Sequence, residues 1–165
     1  MLLIVFPLAL LFAAIWDLTT MTIPNALTAT LALAFLVLAP FAGTSLGGLG
    51  LHMAAGLLML AIGMGFFAMG WMGGGDAKLV AAVALWLGWS QLLPYLLFAS
   101  IIGGGLTLLI LTFRKLPLPL TLENQGWIAH LHDRRTGIPY GIALAAAGLV
   151  IYPDTVWFKL AATAS

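Results

Sequence analysis

Apolar residues run almost unbroken along this chain, and the polar positions fall in short clusters between the runs. The first run, Leu2 to Trp16, contains no polar side chain, and it meets Asp17, then Thr19, Thr20, Thr22 and Ile23-Pro24-Asn25. Proline disfavours helix in the residue before it and asparagine suits a turn or cap, so the first helix is expected to end here. A second run spans Leu27 to about Phe41, and a glycine and serine connection, Gly43 to Gly50, leads to a third, Leu51 to Met72. Gly56, Gly63 and Gly70 recur at sevenfold spacing on one face of that third run, a small-residue stripe that predicts close packing in the middle of a bundle. A fourth run goes from Ala77 to Leu87 and a fifth from about Leu92 to Phe113, with Gly103-Gly104-Gly105 inside it. A sixth follows Pro139-Tyr140-Gly141 and stops at Pro153. The pattern predicts an all-α integral membrane protein, a bundle of about six transmembrane helices forming one domain over residues 1–165.

Composition supports that pattern. Of the 165 residues, 63% are hydrophobic and 7% charged, and the mean hydropathy is +1.15, whereas a soluble domain carries about a quarter charged residues. The first run lacks a basic segment and a small-residue cleavage site before Asp17, so it reads as a retained span rather than a signal peptide. Its roughly 15 residues cover about 22 Å against a hydrocarbon core of ~30 Å, which places Asp17 somewhat inside the membrane. Trp86 and Trp89 flank Gly88 in the manner of an interfacial aromatic belt. Only about 18 Å of helix separates Asp76 from that belt, so Asp76 too is expected below the interface.

Charge sets the expected orientation. The net charge of +1 gives no footing for nucleic acid. Four of the six Lys and Arg residues, Arg114, Lys115, Arg134 and Arg135, lie between residues 114 and 137. Cationic loops stay cytoplasmic, so both termini are expected outside, and the turns near Asp17 and Asp76 inside, with Lys78 in agreement. Within that loop Trp127, Ile128 and Leu131 share a helical face suited to the headgroups, and the tail with Trp157 and Lys159 reads as interfacial.

Chemistry concentrates in Trp71-Met72-Gly73-Gly74-Gly75-Asp76-Ala77-Lys78 and at Asp17. An ionisable group at membrane depth is costly enough to be read as functional. Two carboxylates at short range share one proton, so one can take a proton from water while the other protonates a carbonyl, which is the logic of aspartyl hydrolysis. Gly73, Gly74 and Gly75 would allow close approach to a substrate backbone. Lys78 is expected to snorkel to the headgroups rather than to tune Asp76. His130, His132 and Asp133 do not form a metal set, because histidines at i and i+2 do not share a helical face. The Met residues read as packing, His52 as a solvated or capping histidine, and no cofactor or metal is called for. With no Cys, thiolate chemistry and disulfides are excluded.

Asp17 followed by Ile23-Pro24-Asn25, then Gly73-Gly74-Gly75-Asp76-Ala77-Lys78-Leu79, then Ile138-Pro139-Tyr140-Gly141 before the last long run, together resemble the prepilin peptidases, membrane aspartyl proteases of the GxGD type. The resemblance covers roughly residues 10–160. It implies that Asp17 and Asp76 cut the leader from type IV pilin-like precursors at the cytoplasmic face of the bacterial inner membrane, with Pro24, Asn25, Gly73, Gly74, Gly75 and Lys78 shaping the site or holding substrate. Larger members carry an N-terminal domain with paired cysteines and methylate the new N-terminus. This Cys-free sequence resembles the short peptidase-only members of Flp or Tad pilus systems, and methyltransferase activity is expected to be absent. Presenilin-like relatives share GxGD but also use a Pro-Ala-Leu signature that is missing here. The alternatives are a small proton-coupled transporter, which would show internal repeats and acids at the midplane, and a non-catalytic pilus-assembly protein, which would leave the two acids without a purpose.

Overall fold

The computed structural model describes residues 4–163, so the start of the first run at Leu2 lies outside the described residues. The chain forms α1 (Val5–Thr20), α2 (Asn25–Leu38), α3 (Leu46–Ala68), α4 (Gly74–Phe113), α5 (Leu120–Glu123), α6 (Gly126–His132), α7 (Tyr140–Ile151), a 3-10 turn (Tyr152–Asp154) and α8 (Val156–Thr163), with no strand among the described residues. Two helices, Leu46–Ala68 and Gly74–Phe113, are long and apolar enough to cross a membrane; Val5–Thr20, Asn25–Leu38 and Tyr140–Asp154 are shorter apolar helices. Large apolar side chains such as Leu33, Leu57, Ile101 and Leu108 point outward from them. A continuous apolar exterior of this kind suits lipid rather than water as the solvent.

Helix boundaries follow local chemistry. α1 stops at Met21, which takes the left-handed conformation with φ +52° and donates its N–H to the Asp17 carbonyl at 2.8 Å. Pro24, in extended conformation, then caps α2. α3 begins earlier than expected because Ser45 caps it, its Oγ accepting from the Gly48 N–H at 3.1 Å. Gly47, Gly48 and Gly50 are therefore in helix rather than in a connection. The stripe on α3 packs as expected at two of its three glycines: a Cβ at Gly63 would sit 3.0 Å from Ala77, and one at Gly56 would sit 3.1 Å from Leu85. Gly70 lies beyond the helix, in a turn with φ +72°.

The fourth and fifth runs form one element without a loop. A straight 40-residue helix would be about 60 Å long, but Gly88 breaks it with φ 67° and ψ −175°. Val80 and Gly103 line the same cavity, although about 35 Å of straight helix would separate them. The second half of α4 therefore doubles back beside the first. The break leaves helix carbonyls without their usual partners, and two side chains supply them. His52 Nδ1 donates to the Leu85 carbonyl at 2.8 Å, and Trp157 Nε1 donates to the Trp86 carbonyl at 3.0 Å.

The first half of α4 is the centre of the molecule, contrary to the expectation that α3 would be: from Ala77 to Gly88 only Lys78 escapes full burial. Trp86 is correspondingly buried rather than interfacial, its ring 5.1 Å from Phe6 and 4.8 Å from Trp157, and its Nε1 bonded to the Leu31 carbonyl at 2.9 Å. Trp157, expected in an interfacial tail, is part of that aromatic core. Only Trp89 of the expected belt is exposed.

Candidate active site

The helix ends described above bring Asp17 and Asp76 to one cavity of about 700 Å³. Its walls are the end of α1 with Met21 and Ile23, the glycine turn from Gly70 to Gly75, and His130, Thr136, Gly137, Ile138 and Tyr140 from the far side. Asp17 is buried on the last turns of α1, with the start of α7 against its carboxylate at Gly141 and Ile142. A helix N-terminus presents free N–H groups and favours negative charge. Asp17 Oδ2 has no hydrogen-bond partner among the described residues. A Cβ at Gly141 would lie 2.7 Å from Asp17 Oδ2 and 2.7 Å from Ile23 Cδ1, so any larger residue there must displace one of them or the start of α7.

Asp76 is the third residue of α4, behind the cap Gly73, and its carboxylate turns back to the Gly73 backbone as an acid at that position of a capping box does. The glycine run serves internal packing as well as lining the cavity. A Cβ at Gly75 would meet Ile23 Cβ at 3.0 Å, one at Gly74 the Phe67 ring at 3.3 Å, and one at Gly73 Asp76 Oδ2 at 3.0 Å. Ile23 is thereby wedged between Gly75 at the start of α4 and Gly141 at the start of α7.

Of the remaining site residues expected from sequence, Pro24, Asn25 and Lys78 do not line this cavity. Lys78 Nζ donates to Asn25 Oδ1 at 2.8 Å, tying the start of α2 to the start of α4. Both residues border a separate groove. The histidines divide: His130 lines the cavity, whereas His132 Nε2 bonds the Leu116 carbonyl at 2.9 Å and its ring meets the edge of Phe113. Asp133 Oδ1 accepts from the Arg135 N–H at 2.9 Å in a local turn.

Arg114 is the residue whose role the sequence did not disclose. Counted as an orienting cation, it is buried and fans out to four acceptors: the Leu131 carbonyl at 2.8 Å, the Thr136 carbonyl at 3.3 Å, Thr136 Oγ1 at 3.0 Å and the Gly137 carbonyl at 2.8 Å. Thr136 Oγ1 in turn reaches the His130 and Asp133 carbonyls, each at 2.8 Å. The guanidinium thus ties the segment that closes the acid cavity at Leu131, Thr136 and Gly137. Arg114→Lys keeps the charge but cannot reproduce the planar fork. It is expected to lower stability by about 1–3 kcal/mol through unsatisfied buried acceptors and to lower any turnover at the cavity several-fold, with membrane orientation unchanged. Thermal unfolding and protease accessibility of the loop check this.

Two carboxylates at helix ends in a shared cavity define the class of site, and comparison with known sequences gives the family. Residues 4–108 match the type IV leader peptidase family. This is more than half of the chain and includes both acids, and the chain belongs to that family. It is similar to the prepilin leader peptidase/N-methyltransferase of Xanthomonas campestris, 35% identical over 82 residues, which are 49% of this chain and 23% of that protein. The corresponding protein of Aeromonas hydrophila is 44% identical over 66 residues, 36% of this chain and 23% of the relative. The matched stretches thus span under a quarter of the length of these curated relatives. No solved structure matches the chain.

Proposed function

We propose that this chain is a membrane aspartyl endopeptidase that removes the leader from type IV prepilin-like precursors. The observation that carries this is the convergence of Asp17 and Asp76, remote in sequence, on one cavity. In the mechanism we infer, the ionised carboxylate takes a proton from a water whose oxygen attacks the scissile carbonyl carbon. The neutral carboxyl protonates the carbonyl oxygen, and the tetrahedral intermediate collapses as the C–N bond breaks: the leaving amine takes the proton that came from water, and a hydroxyl of the intermediate returns its proton to the other carboxylate. Lys78 and Asn25 position the Asp76 helix, and Gly74 and Gly75 let its start pack tightly on Phe67 and Ile23.

In the bilayer the six apolar segments α1, α2, α3, the two halves of α4, and α7 each cross, and the cationic residues between 114 and 137 hold their end in the cytoplasm. Both acids then work at the cytoplasmic face of the inner membrane, with both termini outside. The resemblance favours Flp or Tad-type pilins as the precursors. For these 165 Cys-free residues we extend the proposal to cleavage without methylation. The test is incubation of the purified chain in proteoliposomes with a pilin-like precursor, followed by mass analysis of the product N-terminus. A single cut at the junction of leader and apolar helix, with an unmethylated product, is the expected result; an intact precursor overturns the proposal.

A further inference from the structure

A precursor whose apolar helix lies in the bilayer must reach buried carboxylates sideways, through a groove that is apolar, open to lipid and continuous with the acid cavity. Among the described residues, apolar grooves of about 430 Å³ lie on either side of α3. One runs between α2, α3 and the first half of α4, past Ala32, Leu57 and Ala82, and ends at the Lys78–Asn25 hydrogen bond. It shares no lining residue with the acid cavity, and Lys78 and Ala82 lie on a different face of α4 from Asp76.

The other groove lies between α3 and the second half of α4. Its floor includes Val80, one helical turn from Asp76 and on the same face. It shares Met72 and Tyr140 with the acid cavity. Tyr140 stands between the two spaces, its ring within 3.3 Å of where a Gly103 Cβ would be, its hydroxyl 3.0 Å from Thr107 Oγ1. One wall carries Ala99, Ser100, Gly103 and Gly104, two interleaved pairs of small residues four apart, the spacing that admits a second helix at close range in lipid. A Cβ at Gly104 would meet nothing within 4 Å, so the space beside it is open. The Ser100 hydroxyl is occupied by the Leu96 carbonyl at 2.7 Å, which leaves that wall without an unmet polar group.

Resting on the peptidase proposal above, we propose that this second groove docks the apolar helix of the precursor, with the leader junction at the Met72–Tyr140 end beside the two carboxylates. Small residues set the approach distance, and Tyr140 marks where helix must give way to extended chain.

The Cys-free sequence makes cross-linking selective. Gly104→Cys and, in the other groove, Ala32→Cys are each reconstituted with a precursor built from a polar leader and a 20-residue apolar helix bearing one Cys two turns beyond the junction. Disulfide formation at 104 and not at 32, suppressed by excess Cys-free precursor, is expected. Bonding at 32 alone, at neither position, or at 104 only between two copies of this chain overturns the proposal. A second variant, Gly104→Trp, fills the groove. It is expected to raise KM for the embedded precursor at least tenfold and to leave cleavage of a soluble junction peptide lacking the apolar helix unchanged. Equal KM for the embedded precursor in the two proteins overturns the groove, whereas failure of the unsubstituted chain to cut either substrate overturns the peptidase proposal and not the docking measured by the cross-link.

Discussion

Asp17→Asn and Asp76→Asn are each expected to reduce precursor cleavage by roughly 10²–10⁴-fold, the range for loss of a positioned proton-transfer group, while the protein stays folded and inserted. Asparagine matches aspartate in size and can still present an oxygen to the Gly141 and Ile142 backbone beside position 17, so packing around the buried side chain survives. A carboxamide cannot cycle a proton, so each single variant should lose the paired function. Groups that act as a unit are non-additive when removed. The double variant should therefore fall little below the slower single variant in single-turnover assays, and multiplicative losses would mean that the two acids act separately.

Gly141→Ala is expected to have the second largest effect, through displacement rather than chemistry. A Cβ there lies 2.7 Å from both Asp17 Oδ2 and Ile23 Cδ1, so the carboxylate, the isoleucine or the start of α7 must shift. Displacing a reacting group by about 1 Å can cost about 10²-fold in rate. Stability should change less, because alanine gains up to about 1 kcal/mol of helix propensity over glycine, offsetting part of an overpacking cost of about 1–3 kcal/mol. Gly126→Ala, where the added Cβ meets nothing within 4 Å, is the control. Cleavage rates and unfolding midpoints of the two variants separate displacement from general damage.

What the sequence disclosed was mostly backbone. Proline and glycine mark where helices must stop or approach closely, so the end of the first helix ahead of Pro24 and the close packing at Gly56 and Gly63 followed from residue type, whereas the left-handed stop at Met21 and the break at Gly88 did not. The two acids stood out because each adjoins a long apolar run. Direction of burial did not follow. When nearly every face of every helix is apolar, periodicity says nothing about which face points inward, and so Trp86 and Trp157 looked interfacial and the first half of α4 did not look central. Partners remote in sequence were equally hidden: Lys78 on Asn25, Arg114 on the segment from Leu131 to Gly137, and Gly141 on Asp17 all depend on how helices come together. The Arg114 clamp was hidden for a further reason, since a cation near a helix end fits both membrane orientation and a buried clamp.

Asp17 and Asp76 are proposed to work as one pair holding a single proton. The pH dependence of kcat/KM for leader cleavage by the intact chain in proteoliposomes tests it most directly. A rate that rises as the first carboxylate of the pair ionises and falls as the second loses its proton gives a bell, whose two limbs belong to the coupled pair rather than to either residue. That bell is the expected profile. A rate that climbs to a plateau and stays there through alkaline pH, with no falling limb, would contradict it.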